Sequence, residues 1–254
     1  MTKIHHIDCV IIETSTNGNA IGHCLLLEDN DKLALIDTGI GLLETKNPET
    51  RIGQNLIDMV GFKFNENKTA IKQIEKLGFK PTQVRHCILT HLDPDHIGGL
   101  ADFSNIQVHV SSEELKNFES GNERYLPIQM AHNPDVITYG SVTESWFGLE
   151  ARKVKINFNS NIFLIPLFGH TLGHCGVAIE QQNKWTLHVG DAYYLRAEIE
   201  INDHPVTQLA TMRADNNELR IESLNQIKRL IKDHSNEIEI FGYHDPNEFN
   251  SRTT

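Results

Sequence analysis

Residues 90–99 read Thr-His-Leu-Asp-Pro-Asp-His-Ile-Gly-Gly and set two imidazoles, His91 and His96, beside two carboxylates, Asp93 and Asp95. Packing requires no such cluster, whereas holding a cation does. The group follows an apolar run, Cys87-Ile88-Leu89, that reads as a short buried strand. Its side chains therefore stand where a strand gives way to a loop, a common place for function. Pro94 disfavours helix at Asp93, so His91, Asp93 and Asp95 are expected to splay from an extended turn. Taken alone, the spacing also suits a solvated acidic turn, and Asp93 also suits a cap on the turn ahead of Pro94.

Three more apolar runs end in the same way. The run 162–167 leads into Phe168-Gly169-His170-Thr171-Leu172-Gly173-His174-Cys175, the run 185–189 into Gly190-Asp191, and the run 238–241 into Gly242-Tyr243-His244. Ligands of α/β sheets gather at the carboxyl ends of strands, so one site built from all four runs is the economical reading.

These pieces, in this order and with Asp37-Thr38-Gly39 after Leu35-Ile36, resemble the metallo-β-lactamase superfamily over about residues 20–248. The resemblance implies a four-layer αβ/βα sandwich of the α/β class and two divalent metal ions. His91, Asp93 and His170 would hold the first metal; Asp95, His96 and His244 the second; Asp191 would bridge them. Asp37 would support the metals without touching them, and His174 would fix the turn or orient a ligand. Most members have His where this chain has Asp93. Two dications would then be balanced by Asp93, Asp95, Asp191 and a bridging hydroxide. A neutral set of this kind should acidify water less and lean from zinc toward manganese or iron.

The implied chemistry is hydrolysis by a hydroxide held between the metals, with Asp95 or Asp191 carrying its proton to the leaving oxygen. In the N-acyl-homoserine lactone lactonase branch, a tyrosine three residues after the bridging Asp hydrogen-bonds the substrate; Tyr194 stands there and could donate to a developing oxyanion. Packing at a strand end is an equally good use of that tyrosine. Lactone or small-ester opening leads. A thioesterase like hydroxyacylglutathione hydrolase, or a phosphodiesterase, is the rival. A di-iron redox protein is more distant, because flavodiiron proteins share the carboxylate but add a flavin domain for which this chain has no room.

The elements that must position these residues are legible in outline. Strands are expected at 8–14, 21–27 and 32–36 with a turn at Asn17-Gly18-Asn19, and another at 106–110. A helix at 69–77 carries Ile71, Ile74 and Leu77 and stops at Gly78. Ser111-Ser112-Glu113-Glu114 has capping-box spacing, and Ile221, Leu224, Ile227 and Ile231 mark a long amphipathic helix. The stretch 41–66 reads as an insertion whose apolar residues either roof an acyl groove or pack on the sheet, and 121–140 reads as a second rim.

Residues 1–254 are read as a single domain, since no Gly/Ser/Pro-rich linker interrupts them. A net charge of -11 argues against a nucleic-acid backbone as partner. No run approaches membrane-spanning length, so a small-molecule substrate is the expected partner and a homodimer is left open. Cys9, Cys24, Cys87 and Cys175 lack paired spacing and read as buried thiols, Cys175 included. With no signal-like core in residues 1–10, a cytoplasmic location is expected. The other histidines, among them His5, His6, His23, His86, His109 and His188, are expected to be surface or core residues.

Overall fold

Alternation of side chains along the strands, interrupted in β1 between Asp8 and Ile11, builds two facing sheets. The computed structural model describes residues 2–14, 18–142, 144–201 and 203–253. Strands β1 (Lys3–Thr14), β2 (Gly18–Asp29) and β3 (Lys32–Ile36) run antiparallel in sequence. With β4 (Phe62–Lys63), β5 (Val84–Ile88), β6 (Gln107–Ser111) and β7 (Asp135–Tyr139) they form a seven-stranded sheet in the order β4-β1-β2-β3-β5-β6-β7. A ribbon of β8 (Ser145–Trp146) and β9 (Leu149–Glu150) precedes the second sheet. That sheet holds β10 (Arg152–Lys153), β11 (Ile162–Pro166), β12 (Cys175–Glu180), β13 (Trp185–His188) and β14 (Ile238–Phe241), in sequence order.

Leu25, Leu27, Ala34, Ile36 and Ile88 of the first sheet face Leu164, Val177, Ile179 and Phe241 of the second. Their neighbours Cys24, Leu26, Leu33 and Leu35 point the other way. That outer face is covered by α3 (Gln54–Val60) through Ile57 and by α4 (Ala70–Lys76) through Ile74, which follow the shorter α1 (Leu42–Lys46) and α2 (Pro48–Arg51). The remaining helices are α5 (Pro94–Ile97), α6 (Ser112–Glu119), α7 (Ala197–Glu200), α8 (Pro205–Arg213), α9 (Asn217–His234) and α10 (Pro246–Thr253). Helix α9 closes the far side of the second sheet, with Leu224, Ile227 and Leu230 against Ala178, Leu187 and Ile240. Helix, sheet, sheet, helix is the expected αβ/βα sandwich.

Several local expectations change. β1 and β2 are twelve residues each: β1 begins earlier than expected and ends at Thr14 as expected, and β2 extends past both expected ends. Of the expected turn at 17–19, residue 17 lies outside the described residues, while Gly18 and Asn19 already belong to β2. The 41–66 stretch mostly packs on the sheet through Ile57 and Phe62, with Leu43 and Met59 left exposed.

Candidate metal centre

The site forms where five strands end. Asp37 follows β3, His91 and Asp93 follow β5, His170 lies between β11 and β12, Asp191 follows β13, and His244 follows β14. Asp95 and His96 do not sit on an extended turn. Pro94 opens the one-turn helix α5, where its missing N–H is no loss, and both residues ride on that turn. The Asp93 side chain makes no capping bond there.

Two groups of donor atoms result. One donor atom each from His91, His170 and Asp191 lies within 4.8 Å of the others, and the same holds for Asp95, His96 and His244. Asp191 stands between them: its Oδ1 is 3.4 Å from His96 Nε2, and its Oδ2 is 3.4 Å from His170 Nε2 and 3.3 Å from His244 Nε2. His91 Nε2, His96 Nε2 and Asp191 Oδ1 are buried without a hydrogen-bond partner. Buried polar atoms are rarely left so, and three converging ones fit a cation-binding site. Imidazole and carboxylate donors in this mixture suit divalent zinc, manganese or iron.

Outer contacts aim each ring. Asp37 accepts from His96 Nδ1 at 2.8 Å and from the Thr90 amide and hydroxyl, leaving His96 Nε2 free to face inward. His244 Nδ1 donates to the Ile21 carbonyl at 2.8 Å, which turns its Nε2 the same way. Tyr243 stacks on His96 and donates to the Asp95 carbonyl at 2.6 Å. His174 bridges the Leu167 carbonyl and the Asp191 amide, so it fixes the turn that carries Asp191.

Glu114 joins the loops. Ser111 does cap α6 through the Glu114 amide, but the Glu114 side chain does not turn back to complete a capping box. It accepts instead from the Leu92 amide, the Tyr125 hydroxyl, the Thr171 hydroxyl and the Gly173 amide. Burial pushes its carboxyl up to about 7 against the pull of these donors. Gly169 and Gly173 let the His170 loop lie this close, since a Cβ at Gly169 would meet the Arg220 amide at 2.0 Å and one at Gly173 the Glu114 amide at 1.9 Å.

Asp93 departs from the expected arrangement. Its Oδ2 faces the first group, 3.1 Å from His170 Nε2 and 3.5 Å from His91 Nε2, yet both its oxygens accept from Arg124 at 2.7 Å. Burial disfavours its charge, but the guanidinium holds Asp93 well below the usual carboxylate range. Arg124 adds one positive charge to the expected balance, so two dications held here would leave the set positive and not neutral. Arg124 belongs to the 121–140 stretch expected as a second rim, and no local sequence pattern marks it. The sequence signal for it is Asp93 itself, since a buried carboxylate among imidazoles calls for a cation beside it.

Tyr194 lies over the centre, its ring 5.8 Å from that of His170 and 5.4 Å from that of His244. Burial, then the Asp191 charge, raises its phenol well above the ordinary range, so it stays a proton donor. Burial works against the charge of Asp191 too, but His244 and His96 hold that carboxyl low. Cys175 donates to the Gly173 carbonyl and packs between the sheets, as expected for a buried thiol. His23 and His188 are core residues, joined through the His23 carbonyl, and His6 hydrogen-bonds His23.

Comparison with known proteins gives the family and the fold. Residues 17–232 match the Metallo-beta-lactamase superfamily. The chain belongs to that superfamily. A probable metallo-hydrolase of Mycobacterium tuberculosis is 35% identical over 96% of this chain and 80% of its own length. An N-acyl homoserine lactonase from a Bacillus species is 24% identical over 82% of this chain and 75% of its own. Among solved structures, an N-acyl homoserine lactone hydrolase with N-hexanoyl-L-homoserine at its catalytic metal center superposes with a TM-score of 0.72 at 21% identity, covering 98% of this chain and 95% of that one. A probable metal-dependent hydrolase from Staphylococcus aureus gives 0.70 at 19%, covering 96% and 89%. The fold class read from the sequence and its assignment to a metallo-hydrolase family therefore stand. Among the described residues no helix is long and apolar enough to cross a membrane.

Proposed function

We propose that this metallo-hydrolase is binuclear and opens small esters, with lactones as the lead substrates. The observation that carries this reading is the position of Asp191 between two groups of buried, inward-facing donors. His91 and His170 would hold one divalent ion with Asp93 alongside, Asp95, His96 and His244 the other, and Asp191 both. When bound, such a pair supplies Lewis acidity toward a carbonyl oxygen and lowers the pKa of water.

The chain's own groups do the rest. Tyr194, kept protonated and placed against one histidine of each group, donates to the oxygen that gains charge as the carbonyl is attacked. Asp95, partly exposed beside His244 at 3.6 Å, can relay a proton between water and the leaving oxygen. Asp37, His174 and Tyr243 keep the donors in register. Because donors come from both sheets, residues 2–253 act as one catalytic unit. Lactonase neighbours support the substrate class, and Tyr194 is the residue of this chain that favours it.

A panel of acyl-homoserine lactones, glutathione thioesters and bis-p-nitrophenyl phosphate, run after loading with zinc, manganese or iron, tests the reading. Lactone turnover is expected to dominate. Untouched lactones under all three metals, with thioester or phosphodiester turned over, would replace the substrate class.

A further inference from the structure

We propose that Arg124 is a positioning residue that acts as a built-in cation of the first donor group, sharing Asp93 and His170 with any metal there and making that position the weaker of the two. The inference rests on the binuclear reading above. Arg124 Nε donates to Asp93 Oδ1 and Nη2 to Asp93 Oδ2, both at 2.7 Å. The same Nη2 lies 3.0 Å from His170 Nε2, the nitrogen that faces the group. Nη1 is anchored on the His170 and Arg213 carbonyls and on Asp215 Oδ1, and Asp215 is itself held by Asn117. The side chain is only 7% exposed, so the guanidinium has one place to be.

A planar fork on a carboxylate is among the strongest neutral-sum pairs available, and breaking it would strand a buried charge. Taken together, Asp93 and Arg124 carry no net charge, as a neutral histidine would. The difference lies in the lone pairs: the oxygen and the ring nitrogen that a first metal needs are both already facing a cation. An arriving dication must share those atoms and also sit near a fixed positive charge. Among the described residues no Lys or Arg hydrogen-bonds a donor of the second group, where His96 is backed by Asp37 and His244 by a carbonyl.

The test is calorimetric titration of the metal-stripped full chain with zinc, and separately with manganese, with bound metal counted by elemental analysis. Two positions are expected, separated by about tenfold or more in affinity. Arg124→Met should tighten the weaker position by a similar factor and leave the tighter one in place, with Arg124→Lys between. Should the single variant fail to fold, Asp93→His combined with Arg124→Met removes both partners of the pair and should also close the gap. Equal affinities in the natural chain, or a gap unchanged in folded variants, would overturn the inference and leave the binuclear reading intact. No divalent metal bound at either position would overturn both. A gap that closes as expected in a chain without lactone activity would sink only the substrate reading.

Discussion

The two donor groups share one carboxylate and are built on opposite electrostatic plans. The second, with Asp95, His96 and His244, is braced by an anion and a backbone carbonyl, so each ring is turned inward and its basicity is raised or kept. The first, with His91 and His170, is braced through Asp93 by a buried guanidinium. A buried carboxylate among the donors of the first group comes with a cation of its own. That cation comes from a loop 31 residues away, and the asymmetry of the centre follows from the pair.

Asp191→Asn strikes both groups at once and should have the largest effect. Hydrolysis should fall by more than the roughly 10²–10³-fold that losing one oxyanion donor costs, and bound metal should drop at both positions. Loss at one position alone would show that Asp191 serves a single group. Tyr194 touches one ring from each group, so Tyr194→Phe should lower kcat by about 10²–10³-fold with metal content unchanged. An unaltered rate would remove the phenol from the chemistry. Asp37 touches His96 directly and His91 only through the Thr90 hydroxyl, so Asp37→Asn should weaken the second position by about 10–100-fold and the first by less. Equal weakening of both would show that the groups are not independently braced.

The smallest expected effect separates these histidines from the ones in the core. Burial, with Arg252 and His188, lowers His6 to about 4 from 6.5, and burial lowers His23 and His188 in the same direction. Between those pH values the unfolded chain binds protons that the folded chain refuses. Stability from the neutral rings is therefore complete above about pH 6.5 and is lost as pH falls toward 4. The thermal midpoint of metal-loaded protein should decline across that window, and His6→Gln should shallow the slope. A midpoint that is flat from pH 6.5 to 4.5 would mean that the rings between the sheets are charged in the fold.

What the sequence made legible follows from how local each signal is. Donors at strand ends sit next to the apolar runs that define those strands, so His91, His96, His170, Asp191 and His244 could be read together with the sandwich that carries them. Pro94 blocks helix at Asp93, yet proline is also a good first residue of a helix, and α5 starts on it. Glu114 was read correctly as part of a helix start, but its carboxylate goes to three loops far apart in sequence, which no local pattern encodes. Arg124 sits in an irregular stretch without periodicity, and only the chemistry of Asp93 pointed to it. Short pairings such as β4 and β8 are fixed by their partners more than by their own residues.

The central claim is that two cations share Asp191. Crystals of the full chain soaked in zinc or manganese and measured at the metal's absorption edge test it directly. Two anomalous peaks are predicted, one among His91, His170 and Asp191 and one among Asp95, His96, His244 and Asp191, the first appearing at higher metal concentration. Peaks away from Asp191, or a single peak there that never gains a neighbour at saturating metal, would contradict the account.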